Sequence, residues 1–250
     1  MAISIKTAQE IEIMRRSGRI LASVLSHIIE IAKPGVTTME LDQEAERMIR
    51  EAGGTPAFKG YSGFPSTLCT STNNEVVHTF PSDRELKDGD IITVDCGVDL
   101  KGFKTDSAVT ILVGEVPKET KRFVEVTRST LYGAIDLVKP GVRIGEIGHY
   151  IDTQIKSAGY HIIKELIGHG IGRELHEDPQ IPNFGKPSKG AVLKPGMTIC
   201  IEPIVGYSSR LIDTLPDGWT ILTRDGGLAC QEEHTILVTD TGYEILTSRE

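Results

Sequence analysis

The chain has 250 residues, 39% of them hydrophobic and 25% charged, which is the make-up of a globular protein and excludes disordered or fibrous classes. Its 27 Lys and Arg against 35 Asp and Glu leave a net charge of −8, a poor match to a nucleic-acid backbone as main partner. Cys69, Cys96, Cys200 and Cys230 contain no CxxC pair, and a chain this long buries enough surface to hold without staples, so they read as reduced thiols in a cytoplasmic protein.

Met1 to Lys6 lack the charged and apolar regions of a signal peptide, and the longest apolar run, Ile20 to Ala32, is broken by His27 and Glu30. Neither export nor a membrane span is expected. Thr7 and Glu10 form a capping box, and apolar residues at Ile11, Met14, Leu21, Leu25, Ile28 and Ile31 keep a helical period until Lys33-Pro34-Gly35. A second helix is predicted over 38–52, ended by Gly53-Gly54.

The text then returns. Lys33-Pro34-Gly35-Val36 recurs as Lys139-Pro140-Gly141-Val142, and Glu40, Ile49, Ala52 and Gly53 find identical partners at Glu146, Ile155, Ala158 and Gly159. A second echo sets Leu86–Asp95 against Leu193–Glu202, which aligns Asp95 with Glu202 at the ends of two apolar strands. Each half alone would leave an apolar face open, so the two are expected to stack into one pseudo-symmetric body spanning 1–250. Ligands from matched positions would then meet near the axis between them.

Residues 91–97 and 103–113 read as strands joined by a type I turn at Asp99-Leu100-Lys101-Gly102. If Asp99 faces Gly102, Asp95 faces Asp106, and two carboxylates so placed need a proton or a cation between them. The alternative is a slipped register with both acids in water. Further candidates are His169 in Gly168-His169-Gly170-Ile171-Gly172, Glu202 in Ile201-Glu202-Pro203, and Glu233 in Glu232-Glu233-His234. Four carboxylates and one imidazole are a largely hard donor set, suited to two divalent cations drawn from Co, Mn, Fe(II) or Zn. His234, adjacent to Glu233, is expected to point the other way along a strand.

The ordered set Asp95, Asp106, His169, Glu202 and Glu233, in the contexts VDCG, KTDSA, GHGIG, CIEP and EEHT, closely resembles the type I methionine aminopeptidases over essentially the whole chain. That resemblance implies an α/β (α+β) pita-bread fold: two pseudo-symmetric helix–strand halves around a central, mostly antiparallel sheet. It also implies a metallo-exopeptidase that removes the initiator methionine ahead of a small second residue, through a hydroxide bridging two metals. Asp95 would bind one metal, His169 and Glu202 the other, and Asp106 and Glu233 both. Glu202 would shuttle the proton. His78 and His176 would hold the substrate amide and stabilise the intermediate, and Tyr61, Phe64, Cys69 and Trp219 would line the methionine pocket. Thr79, Leu175 and Phe58 depart from the family's common pattern and bear on the shape of that pocket.

The resemblance further implies a monomer acting on nascent chains, with a ribosome contact for which Arg15, Arg16 and Arg19 are candidates, although those three read first as a solvated helix face. Rival readings on the same fold are a prolidase or Xaa-Pro aminopeptidase, for whose extra N-terminal domain the chain is expected to have no room; the type II enzyme, which carries a long insertion between the His169 and Glu202 regions; a creatine-hydrolysing relative without metal; and a non-catalytic binder lacking the ligands.

Overall fold

The computed structural model describes residues 3–249. The first half consists of α1 (Ala8–Ile31), α2 (Thr38–Glu51), β1 (Thr55–Pro56), β2 (Leu68–Thr72), β3 (Glu75–Val77), β4 (Ile91–Leu100) and β5 (Phe103–Leu112). The second half opens in the same order with α3 (Lys118–Ile135), α4 (Ile144–Ser157) and β6 (His161–Ile162). It continues through β7 (Gly168–Gly170), β8 (Glu177–Ile181), β9 (Thr198–Ile201), β10 (Ile204–Gly206), β11 (Ile212–Thr214), β12 (Ile221–Thr223), β13 (Ala229–Gln231), β14 (His234–Val238) and β15 (Tyr243–Ile245). No helix among the described residues is long and apolar enough to cross a membrane.

Local chemistry sets the helix ends. Thr7 and Glu10 form the predicted capping box of α1, and Thr37 and Glu40 form an equivalent one at α2. α2 stops at Glu51, one residue short of its expected end. The Arg15 and Arg19 guanidiniums are drawn into pairs with acids, Arg15 with Glu244 at 2.7 Å and Arg19 with Glu12 at 3.6 Å.

The sequence repeat is reproduced bond for bond. Gly35 (φ 91°) donates its amide to the Leu86 carbonyl at 2.8 Å, and Gly141 (φ 92°) donates to Leu193 at 3.0 Å. Both turns need the left-handed backbone that glycine adopts without cost. Gly89 donates to Val113 and Val113 back to Asp90; correspondingly, Gly196 donates to Val238 and Val238 to Met197. α1 and α2 pack Leu21, Leu25, Leu41 and Ile49 against Val94 and Val98 of β4, while α3 and α4 pack Phe123, Leu131, Ile147 and Ile151 against Ile199 and Ile201 of β9. Each fully buried side chain of this size contributes about 1.5–3 kcal/mol.

All strand pairings among the described residues are antiparallel. The β4–β5 hairpin departs from the expected register. Its loop is only Lys101 (φ 55°) and Gly102 (φ 82°), so Leu100 faces Phe103, Asp106 faces Gly97 and Asp95 faces Ala108. Two successive left-handed residues give the tight turn whose twist matches that of its strands. Asp99 braces the turn from outside by accepting the Gly102 amide at 2.8 Å. Asp95 and Asp106 are therefore diagonal rather than direct neighbours, still on one face.

The two halves join along β5. Glu233 donates its amide to the Ala108 carbonyl at 3.0 Å, Asp106 donates its amide to the Thr235 hydroxyl at 2.9 Å, and Ser107 donates its hydroxyl to the Glu233 carbonyl at 2.7 Å. This seam carries acids from both halves into one cleft.

Candidate metal centre

A cavity of about 180 Å³ opens between the halves, lined by all five residues of the expected ligand set together with His78, His176, Tyr61, Phe64, Cys69 and Trp219. Asp95 and Asp106 enter from the β4–β5 hairpin, His169 from the middle of β7, Glu202 just after β9, and Glu233 between β13 and β14. Oxygens of Asp95, Asp106 and Glu233 lie within 4.8 Å of one another, as do atoms of His169, Cys200 and Glu233. His169 Nε2 stands 3.7 Å from Glu202 Oε1.

The four carboxylates are between 1% and 8% exposed. Burial drives every one of them toward the protonated form: Asp95 is pushed up to about 7, and Asp106, Glu202 and Glu233 are raised well above the usual range. Mutual repulsion adds to burial for the last three. Asp95 Oδ1, Asp106 Oδ1 and Glu233 Oε1 are buried without a hydrogen-bond partner. Buried acceptors left unmatched in this way fit a positive charge placed among them, and the oxygen-rich donor set fits hard or borderline divalent cations.

The imidazoles stand in different surroundings. His169 donates from Nδ1 to the Gly170 carbonyl at 2.9 Å, which leaves Nε2 as a lone-pair donor facing Glu202. Burial lowers His169 to about 3, so the ring is neutral at physiological pH. His176 packs 4.4 Å from the His169 ring, and its Nδ1 is hydrogen-bonded to the Tyr61 hydroxyl at 2.8 Å, leaving Nε2 for the cleft. His78 adopts φ 61°, uncommon outside glycine, and burial, with His176 nearby, lowers it to about 4. His234 points away from the cleft, as expected of a residue beside Glu233, and bonds Thr247 at 2.8 Å and Tyr132 at 3.1 Å.

The apolar end of the cleft is built from rings. Phe64 lies 5.2 Å from Trp219, 5.2 Å from Phe80 and 6.4 Å from Phe58. Phe58 reaches the wall because residue 97 is glycine: a Cβ there would come within 2.7 Å of its ring. Leu175, at 2% exposure, and Phe58 are both wall residues. Thr79 follows the left-handed His78 and accepts the Thr70 amide through its carbonyl at 2.9 Å.

One polar residue of the cleft was not anticipated. Gln231, 2% exposed, donates from Nε2 to Glu202 Oε2 at 3.2 Å. That carboxylate contact fixes which end of the amide is nitrogen. Extending the repeat through β14 and β13 pairs Gln231 with Asp106, a match that the change of side chain hides in the sequence.

The metallopeptidase family M24 model matches residues 12–240. Among curated proteins the chain is similar to methionine aminopeptidase 1 of Bacillus subtilis, 48% identical over 242 residues that cover 97% of this chain and 98% of the relative. Among solved structures it is similar to a methionine aminopeptidase from Thermotoga maritima, with a TM-score of 0.97 and 43% identity over 98% of this chain and 99% of that one. A prolidase from Pyrococcus horikoshii shares the fold at a TM-score of 0.80 and 25% identity, covering 98% of this chain but 64% of its own. The architecture is thus the pita-bread fold of both groups.

Proposed function

The chain belongs to metallopeptidase family M24, and on that premise we propose how its cleft removes the N-terminal methionine of peptides and proteins. It is a metal-dependent aminopeptidase. The finer reading assigns Asp95, Asp106, His169, Glu202 and Glu233 to two divalent cations, with Co, Mn, Fe(II) and Zn all compatible with these donors. What carries this reading is the meeting of three unpartnered buried carboxylate oxygens with a neutral imidazole whose free nitrogen faces the same space.

Cations bound there would lower the pKa of a water and polarise the scissile carbonyl. Glu202, steadied by Gln231, takes a proton from the attacking water and returns it to the leaving amine. His176, its Nδ1 engaged by Tyr61, turns Nε2 toward the developing oxyanion, and His78, which lines the same cavity, holds the amide. Because burial keeps both rings neutral, each serves as a hydrogen-bond donor or acceptor rather than as a fixed charge.

Tyr61, Phe64, Cys69 and Trp219 enclose the methionine side chain, where a polarisable thioether finds aromatic edges. Selection of a small second residue belongs to the same reading. Initiator methionine on nascent chains is the natural substrate in this reading.

The test is turnover of Met-Ala-Ser against Ala-Pro peptides, before and after treatment with a chelator. Cleavage of the first alone, lost on chelation and restored by Mn or Co, is expected. Preference for Ala-Pro, or activity indifferent to chelator, would overturn the reading.

A further inference from the structure

We propose that the N-terminal segment Ser4–Lys6 is a clamp on the turn carrying His176, and that Lys6 is a positioning residue for that histidine. The proposal rests on the role given to His176 above. His176 ends the turn between β7 and β8, and the next residue, Glu177, starts β8 with its side chain on the opposite face, away from the cleft. Glu177 Oε2 accepts from Lys6 Nζ at 2.6 Å and from the Ser4 hydroxyl at 2.5 Å, while its Oε1 accepts the Glu174 amide at 3.2 Å. A single carboxylate therefore ties the turn to itself and to the start of the chain.

The pair is enclosed. The Lys6 side chain is 4% exposed and that of Glu177 13%. Lys6 is anchored by its own amide, which donates to the Gly196 carbonyl at 2.8 Å. Residue 172 shows how closely the turn is built around the lysine, since a Cβ at Gly172 would lie 2.4 Å from Lys6 Cε and 2.8 Å from Glu177 Oε1. His176 itself is also held through Nδ1 by Tyr61 at 2.8 Å, whereas the remaining side-chain pins on this turn, Lys104 Nζ to the Arg173 carbonyl and Arg173 to Glu10, lie at the surface and do not adjoin it.

A carboxylate in such a site is held by its partners and has little water to fall back on. Without the ammonium, Glu177 seeks solvent and draws the turn with it. His176 then leaves the position from which it meets developing charge, and an error of that kind is felt in kcat before KM. His169 is held by its own hydrogen bond to the Gly170 carbonyl on β7, beside the ladder pair Gly170–Glu177, so Mn affinity reads whether a change at Glu177 reaches it.

The experiment uses the full chain loaded with Mn. Lys6→Met is expected to lower kcat on Met-Ala-Ser about tenfold or more, by misplacement of His176, with KM and Mn affinity within about twofold of the parent. Lys6→Arg, which can still reach Glu177, is expected to recover most of the loss. A folded Lys6→Met with unchanged kcat overturns the proposal, and so does parallel loss of kcat and Mn affinity, which would mean general loosening of the site. Should Lys6→Met fail to fold, Lys6→Gln, which keeps a polar side chain but leaves Glu177 without its counter-charge, is judged by the same two readings. Failure of the functional reading is seen separately: the parent enzyme would not cleave Met-Ala-Ser, or His176→Asn would retain full kcat.

Discussion

Gln231 holds in the second half the place that Asp106 holds in the first: Gln231 faces Ile204 across its ladder as Asp106 faces Gly97 across the other. The matched positions on the partner strands are Glu202 and Asp95. The two halves therefore hold matching diagonal pairs, an acid with an acid in one and an acid with an amide in the other. The amide donates to its neighbour at 3.2 Å, which no carboxylate could do. In the proposed mechanism this asymmetry separates a pair that would hold cations from a pair that would steady a base.

Gln231→Leu removes that donor at nearly constant volume and leaves Glu202 Oε2 facing an apolar group. A fall of about 10–100-fold in kcat is expected, the usual size for losing a hydrogen bond behind a metal-site residue. Steady-state kinetics at saturating metal checks it. Unchanged kcat would detach Gln231 from Glu202.

Glu202→Gln keeps the shape of the side chain and abolishes its basicity. Loss of a positioned base costs about 10²–10⁴-fold in rate. Calorimetry with Mn beside the kinetics separates a proton-transfer defect from a metal-binding one. Retained turnover with both cations bound removes Glu202 from the proton path.

The helices and their repeat were legible because the signals are local: a threonine with a glutamate three residues on, and Lys-Pro-Gly-Val where the chain must turn. The hairpin register was not. It depends on Lys101 accepting φ 55°, a conformation that a lysine side chain does not advertise, and the two-residue loop it permits moved Asp106 from Asp95 to Gly97. The four acids and the imidazole, the two further histidines and the aromatic wall were legible by motif and are brought to one cavity. Their supports were hidden by distance along the chain. Tyr61 meets His176, and Lys6 meets Glu177, only after the halves have folded together.

Removing metal should change the sign of the pH response. Burial raises Asp95, Asp106, Glu202 and Glu233 in the folded, metal-free chain, so that state binds more protons than the unfolded one above their ordinary range. The lowered histidines act oppositely, but above pH about 7.5 they are largely neutral in both states and drop out. Chelated protein should thus lose stability as pH rises from about 7.5 to 8.5. Metal-loaded protein should not, because the cations take the place of the protons and bind more tightly as these leave. Thermal melts of both forms across that window decide; parallel slopes would sink the assignment of these acids to cations.

Cys69 and Trp219 share the apolar wall and should respond differently to change. The Cys69 thiol is pushed well above its ordinary range by burial first and by the Asp95 and Asp106 charges next, so it stays protonated and is no nucleophile. Cys69→Ala should therefore leave kcat within about twofold, and iodoacetamide should not inactivate the parent enzyme, since a small buried thiol contributes packing alone. Trp219 stacks edge-on against Phe64 and also lies 6.2 Å from His78, so its indole closes the pocket where the methionine side chain would end. Trp219→Ala forfeits apolar contact worth about 1.5–3 kcal/mol, which is a rise in KM of roughly 10–100-fold for Met-Ala-Ser. The same variant should gain on peptides beginning with a bulkier apolar residue, because the wall that excluded them is gone. Competition between such peptides reads both effects at once, and equal losses on all of them would mean that Trp219 supports the fold of the β11–β12 hairpin rather than the selection of methionine.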